Sequence, residues 1–139
     1  MAKRNLILDG GRLKAALVEE NYIEAKAYEN VALGSFVNIF MDGSEIKIRL
    51  AKCTDKTYAA NGFIKDGGVV GDTLKVYHTG INDSLFGLTV GSPYYLGSTP
   101  GSLSTTAPST NNHIYQFLGY AISSTKLEVA MSDWIELID

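Results

Sequence analysis

The sequence predicts an all-β module, a sandwich or barrel, assembled from two similar β-units. Three observations point there. The first is internal repetition. Gly34-Ser35-Phe36-Val37-Asn38-Ile39 is echoed 57 residues later by Gly91-Ser92-Pro93-Tyr94-Tyr95-Leu96. At the same offset Ile46 meets Leu103 and Gly62 meets Gly119; after a slip of four residues, Thr73-Leu74-Lys75-Val76 meets Lys126-Leu127-Glu128-Val129. Turn glycines and alternating apolar positions recur, which belong to a scaffold, and no nucleophile, base or metal ligand recurs with them. The second observation is a series of short alternating segments with turn signals about every ten residues. The third is the lack of any strand–helix alternation of the kind that marks a parallel sheet.

Each element follows from local pattern. Residues 1–14, with Gly10-Gly11 and little period, read as an extended arm. From residue 13 to 29 helix and strand are equally compatible, because Ala15-Ala16-Leu17-Val18-Glu19-Glu20 could open a short helix but no 3.6-residue stripe follows. Residues 1–26 are thus an arm or short helix, ahead of a single β domain over 27–139 with repeat units near 31–77 and 88–130. Phe36 to Phe40 is a strand, Asp42-Gly43 a tight hairpin turn, and Glu45-Ile46-Lys47-Ile48-Arg49-Leu50 the return strand, with three apolar residues expected inside and three charges outside. Thr57 to Ile64 is a second strand region, and Thr73 to Tyr77 alternates with Leu74 and Val76 inward. In the second half Pro93–Leu96, Leu103–Thr105, a longer strand from His113 to Ile122 bent near Gly119, Lys126–Val129 and Trp134–Ile138 repeat the plan. All three prolines sit in this half, where a lost ladder donor is tolerable.

Length and charge bound the possibilities. A chain of 139 residues is one domain, long enough to bury roughly two-thirds of its unfolded surface without metal or disulfides. One cysteine, Cys53, allows no internal disulfide and is compatible with a reducing site of synthesis. Leu6-Ile7-Leu8 is too short an apolar run for a secretory leader, and no run reaches membrane-spanning length. The net charge of −3 is unevenly spread. Residues 1–14 carry Lys3, Arg4, Arg12 and Lys14 against Asp9, whereas residues 76–139 carry Lys126 against Asp83, Glu128, Asp133, Glu136 and Asp139. From Ser84 to Thr125 there is no charged residue. A basic start could grip an acidic surface, but without a basic stripe interleaved with aromatics elsewhere nucleic acid is not the expected partner. The charge-free stretch has the composition of an interface core, poor in Lys, Glu and Asp and rich in Tyr.

No catalytic constellation is apparent. His78 and His113 lack the further ligands a zinc site needs. Cys53 is expected to be a buried structural thiol. Gly67-Gly68-Val69-Val70-Gly71-Asp72-Thr73 lacks the Gly-Lys-Ser/Thr ending of a phosphate loop and precedes a strand. Asp42-Gly43-Ser44-Glu45 lacks the ligand spacing of a calcium loop. Asn82-Asp83-Ser84 is a formal glycosylation sequon without a leader to give it meaning. The expectation is therefore a non-enzyme with no cofactor and no metal. The aromatic residues Tyr94, Tyr95, Tyr115, Phe117 and Tyr120, all in the charge-free stretch, are the candidate subunit interface or ligand face. Exposed tyrosines beside Asn and Ser suit sugars as well as subunits, and some of the five could simply face the core.

The segments Ala27-Tyr28-Glu29-Asn30-Val31, Gly34–Ile39, Asn61-Gly62-Phe63-Ile64, Gly71–Tyr77, Gly91–Gly97, Pro100–Ser104, Gln116–Ile122 and Lys126–Val129 together resemble tailed-bacteriophage virion proteins. The likeness is to capsid decoration (auxiliary) proteins and the shell-proximal parts of head fibres, and it covers about residues 27–130. It implies a compact β-barrel or tulip-like domain, often trimeric on the virion surface, that binds the major capsid protein. By segment, residues 1–20 with Lys3, Arg4, Arg12 and Lys14 become the candidate anchoring arm, and the charge-free stretch the candidate subunit interface. The implied partners are the major capsid protein, further copies of the chain as a homotrimer and other head-fibre proteins, with no direct nucleic acid and no membrane. The implied location is the capsid surface, after assembly in the bacterial host cytoplasm. Related modules occur in fibres, so a receptor- or glycan-binding module of a head or tail fibre is the alternative.

Overall fold

The computed structural model describes the backbone of Arg4–Asp9 and Arg12–Val18 and the whole of 21–139. It is all-β, with one turn of 3-10 helix at Lys56–Tyr58. Strands β1 (Arg4–Asp9) and β2 (Arg12–Val18) pair antiparallel as a separate two-stranded sheet, with Asp9 opposite Arg12. The expected extended arm or helix is thus a hairpin: two runs parted by Gly10-Gly11 carry the signature of a two-residue connection. The stretch 22–26 also leaves the arm, because β3 (Tyr22–Ala27) pairs along its length with the strand at Thr73–Tyr77.

The first β-unit is a closed five-stranded barrel. After β3 come β4 (Phe36–Asp42), β5 (Glu45–Leu50), β6 (Gly62–Phe63) and β7 (Thr73–Tyr77), in the spatial order β3-β5-β4-β6-β7. A parallel β3–β5 pair closes the ring, and the other pairs are antiparallel. The second unit contains β8 (Gly80–Asn82), β9 (Pro93–Leu96), β10 (Leu103–Ser104), β11 (Ile114–Tyr115), β12 (Phe117–Ala121), β13 (Leu127–Val129) and β14 (Ile135–Glu136). Five of these make an open sheet ordered β10-β9-β12-β13-β8, and β11 pairs with β14.

The two units share one topology. Written from its second strand, the barrel reads β5-β4-β6-β7-β3, and the open sheet repeats that order with β10, β9, β12, β13 and β8. Registers coincide. Val37 faces Gly62 as Tyr94 faces Gly119, and Ala25 faces Leu74 as Asn82 faces Leu127. Turn hydrogen bonds coincide as well: Gly34 N–H donates to Ile64 O at 3.0 Å and Gly91 N–H to Ala121 O at 2.8 Å. Each repeat includes a strand, β3 or β8, upstream of the segment in which the sequence similarity was strongest.

Two repeated glycines are required by geometry. Gly34 and Gly91 hold φ of +81° and +84°, the left-handed position of a turn closed by Ser35 N–H to Ala32 O and Ser92 N–H to Thr89 O. Gly62 and Gly119 lie where the next strand passes too close for a side chain. A Cβ on Gly62 would lie 2.6 Å from Val76 Cγ1, and one on Gly119 would overlap the Glu128 carbonyl oxygen.

Strand alternation then divides the core. In the barrel, Ala25, Ala27, Val37, Ile48, Ile64 and Val76 fill the lumen with small and branched side chains. Their sequence neighbours Phe36, Phe63 and Tyr77 point the other way, beneath the second sheet, and join Tyr94, Leu96, Leu118, Leu127 and Val129 in a shared core. Two buried amides knit the units. Gln116 accepts from Ala60 N–H at 2.9 Å and donates to Ala60 O and Ser132 O, while Asn82 donates to Gly34 O at 2.9 Å.

Three local expectations are corrected. Ile46, expected inside, is 46 % exposed opposite Met41; β3 joins β5 only at Lys47 and Ile48, so the hairpin tip extends beyond the lumen. Of Thr57–Ile64 only Gly62–Phe63 is strand, since Asp55 caps the 3-10 turn by accepting from Thr57 N–H. The long strand from His113 to Ile122 divides at Gln116, whose buried amide bonds across the seam to the other unit, and a register shift between Phe117 and Gly119 supplies the expected bend.

Because Phe63 is fully buried between the units, Phe63→Ala should cost about 3–5 kcal/mol. Circular dichroism and Trp134 fluorescence should report one coincident unfolding transition, since both units depend on this core. Gln116→Ala strips partners from the Ala60 backbone and should cost about 2–4 kcal/mol in the same denaturation assay.

Candidate functional site

Successive strand residues face opposite sides of a sheet. Tyr94 and Tyr95 therefore part company. Tyr94 is 5 % exposed in the shared core, where its hydroxyl accepts from Thr89 N–H at 2.8 Å, and it leaves the candidate face. Tyr95 is half-buried on the outer side of the sheet and touches Tyr115 and Phe117, with ring centroids 5.2 and 6.0 Å apart. Phe117 in turn meets Tyr120 at 5.1 Å. Residues 117 and 120 would face opposite sides of a regular strand. The irregularity between Phe117 and Gly119 inserts the extra residue that turns both outward. Four of the five candidate aromatics thus form one continuous row.

Cross-strand partners extend that face, because directly opposed residues share a side. Ser104 lies opposite Tyr95, and Glu128 opposite Tyr120. Ser104 also lines a cleft of about 320 Å³, together with Ser98, Thr106, Ser109, Thr110, His113 and Cys53. No carboxylate and no lysine or arginine lines it.

The cleft brings together two residues that the sequence keeps 60 apart: Cys53 Sγ lies 3.9 Å from His113 Nδ1. The pair sets a thiol beside an imidazole. Burial pushes the Cys53 thiol above its ordinary range, so the neutral, weakly nucleophilic form prevails. Among the described residues, no group of three or more His, Cys, Asp or Glu could hold a metal ion. His78 Nδ1 donates to Asn61 O at 2.8 Å. Asn82 of the sequon is fully buried, with its amide occupied by Gly34 O. The glycine-rich segment 67–73 is a turn closed by Asp72 N–H to Val69 O.

A second surface escaped the linear reading. On the outside of the barrel the Arg49 guanidinium lies 4.4 Å from the Phe40 ring and 3.8 Å from that of Tyr58. Lys52 approaches Tyr58, and Tyr28 meets Phe40 edge-on. These residues come from separate strands and loops, so only folding interleaves them. The Arg49 guanidinium also donates to Asn38 Oδ1 and Thr57 O, and Lys47 and Lys26 are paired with Asp42 and Glu45. Much of the basic charge is thereby internally engaged.

Of the candidate anchoring residues, Arg4 lies in β1 and Arg12 and Lys14 in β2, while Lys3 lies outside the described residues. The hairpin places three of them on one separate sheet. Among the described residues no helix is long and apolar enough to cross a membrane.

Fold and site together define an all-β protein made of two copies of one β-unit, the first closed as a barrel, the second laid over it with an aromatic outer face. In comparisons with known proteins, no family model and no curated sequence matches the chain.

The Tyr95 phenol is held above the usual tyrosine range, chiefly by its hydrogen bond with Tyr115 and secondly by desolvation. A raised value means that the neutral form is favoured on folding. The associated stability is present below the ordinary tyrosine range and is lost as pH rises through the raised value. In an alkaline absorbance titration one tyrosine should ionise late, and Tyr115→Phe should return it toward the ordinary range. The buried Cys53 should react with an aromatic disulfide reagent at least a hundredfold more slowly in native protein than in denaturant.

Proposed function

We propose that this chain is a structural virion protein that decorates and stabilises a bacteriophage capsid by multivalent binding to the lattice of major capsid protein. The observation that carries this reading is the duplication. The residues that resemble phage decoration and head-fibre proteins are the turn glycines and inward positions of two copies of one scaffold, Gly34 with Gly91, Gly62 with Gly119, and Leu74 with Leu127. A protein so organised offers surfaces rather than an assembled set of nucleophile, base and orienter. Its separate β1–β2 hairpin, carrying Arg4, Arg12 and Lys14, is the proposed anchor on the shell. The homotrimer is part of the same proposal.

The energetics suit such a role. A ligand that binds only the mature lattice stabilises it by binding linkage. Many copies on a symmetric shell, or three arms on one trimer, add avidity, so each contact can be modest. A basic hairpin on an acidic shell would also be steered by a field that salt screens within about 10 Å at 0.1 M.

Two experiments test this. Gold-labelled antibody against the chain should decorate phage heads in electron micrographs; label confined to the tail tip would replace the capsid reading by the fibre one. Removal of residues 1–20 should abolish binding to purified shells while the barrel keeps its circular dichroism. Undiminished binding by the truncated chain would exclude the hairpin as anchor.

A further inference from the structure

We infer that the outer face of the second sheet is a binding site for a neutral oligosaccharide. The inference stands apart from the capsid role, because it concerns only what this face recognises. Its basis is the juxtaposition of three features: the row Tyr115–Tyr95–Phe117–Tyr120, the cleft rich in serine and threonine that includes Ser104, and a carboxylate, Glu128, opposite Tyr120.

A pyranose ring has an apolar C–H face and a rim of hydroxyl groups. Aromatic rings receive the first, and small hydroxyl side chains or a carboxylate receive the second, each acting as an amphipathic or polar partner. The row supplies adjoining platforms, tilted 48–67° to one another, which give a stepped surface rather than a flat one. Ser104, whose hydroxyl oxygen accepts from Thr106 N–H at 3.0 Å, joins the row to the cleft, which Thr106, Ser109 and Thr110 also line. At the far end Glu128 is exposed and can accept from a pair of sugar hydroxyls. The site is preorganised. Tyr95 is half-buried and packs its ring against those of Tyr115 and Phe117, also half-buried, so little side-chain freedom is lost on binding.

Charge selects the ligand class. From Ser84 to Thr125 there is no charged residue, and Lys126 and Glu128, both exposed and two residues apart, bring one charge of each sign to the far end of the face, so no excess of either sign is there to hold a charged ligand. A second copy of the chain fits less well. An apolar contact sealing this face would strand the serine and threonine hydroxyls there without water, and a buried unpaired hydroxyl is destabilising. Among the four rings only Tyr120, 52 % exposed, projects beyond its neighbours, which suits a stacking platform better than a broad apolar core.

The test is an amide NMR titration of the full chain with cellotetraose, maltotetraose and chitotetraose, with tetragalacturonate as the anionic comparator. At least one neutral tetrasaccharide should shift resonances confined to residues 95, 104, 115, 117, 120 and 128, with millimolar to high-micromolar affinity. Tetragalacturonate should bind at least tenfold more weakly. Tyr120→Ala and Glu128→Gln, both at exposed positions, should each weaken the neutral sugar at least several-fold, while the barrel variant Tyr28→Ala leaves it unchanged. No shifts with any neutral sugar, or shifts indifferent to Tyr120→Ala, would overturn the inference. So would a change of oligomeric state on Tyr120→Ala without any effect of sugar, which would make the face a subunit interface. None of these outcomes bears on shell binding, so the two proposals fail separately.

Discussion

Everything in this fold depends on three rings, Phe36, Phe63 and Tyr77, that line up on the outside of the barrel at centroid separations of 5.9 and 5.7 Å. Each comes from a strand whose adjacent residue, Val37, Ile64 or Val76, fills the barrel lumen. Three strands thus bury both faces at once, which requires a second layer over them. The second β-unit is that layer. Its inward residues Tyr94, Leu96, Leu118 and Leu127 close on the three rings, so the space that a second barrel would enclose is already filled by the first unit. This explains why one topology gives a closed barrel in the first copy and an open sheet in the second.

The same constraint sets where the molecule can make contacts. With its inner side committed to the shared core, the second sheet has only its outer side free, and the shift at Phe117–Gly119 gathers the aromatics there. Polar groups at the seam are handled by divergence between the repeats. Asn82 stands at the position of Ala25, and its amide reaches Gly34 O across the junction. Gln116 does the same for the backbone of Ala60. No buried side-chain nitrogen or oxygen among the described residues lacks a partner. A seam satisfied in this way resists sliding, because any shift would leave amides unpaired in a low-dielectric core.

Cys53 and His113 illustrate proximity without activation. The fold sets them 3.9 Å apart in the lining of one cleft, yet the burial that places the thiol there also keeps it protonated. On the barrel, Arg49 lies over the rings of Phe40 and Tyr58, a cation among aromatics, while its own N–H groups donate to Asn38 Oδ1 and Thr57 O. Both are cases in which the chemistry of a residue type is set by its neighbours in space.

By itself the sequence determined what local pattern can carry. Glycine spacing at 34 and 91 and at 62 and 119, the hairpin turn at Gly43 (which falls on Gly43-Ser44, one residue later than the expected Asp42-Gly43, because Asp42 pairs with Glu45) and the alternation of Leu74 and Val76 express turn geometry and the two-residue strand period, both short-range. The all-β class and the duplication follow from them. The same rules read Gly10-Gly11 too weakly, because the flanking residues suit helix and strand alike until pairing decides. Only the tertiary structure decided that Tyr94 is core while Tyr95, Tyr115, Phe117 and Tyr120 form a face, and that Ile46 overhangs the barrel. It alone joined Ser104, Glu128 and His113 to the aromatic row, and set Arg49 between Phe40 and Tyr58. Those outcomes depend on a bulge, on a barrel that closes once and not twice, and on contacts between residues far apart in the chain, where alternation gives two faces but cannot say which one is covered.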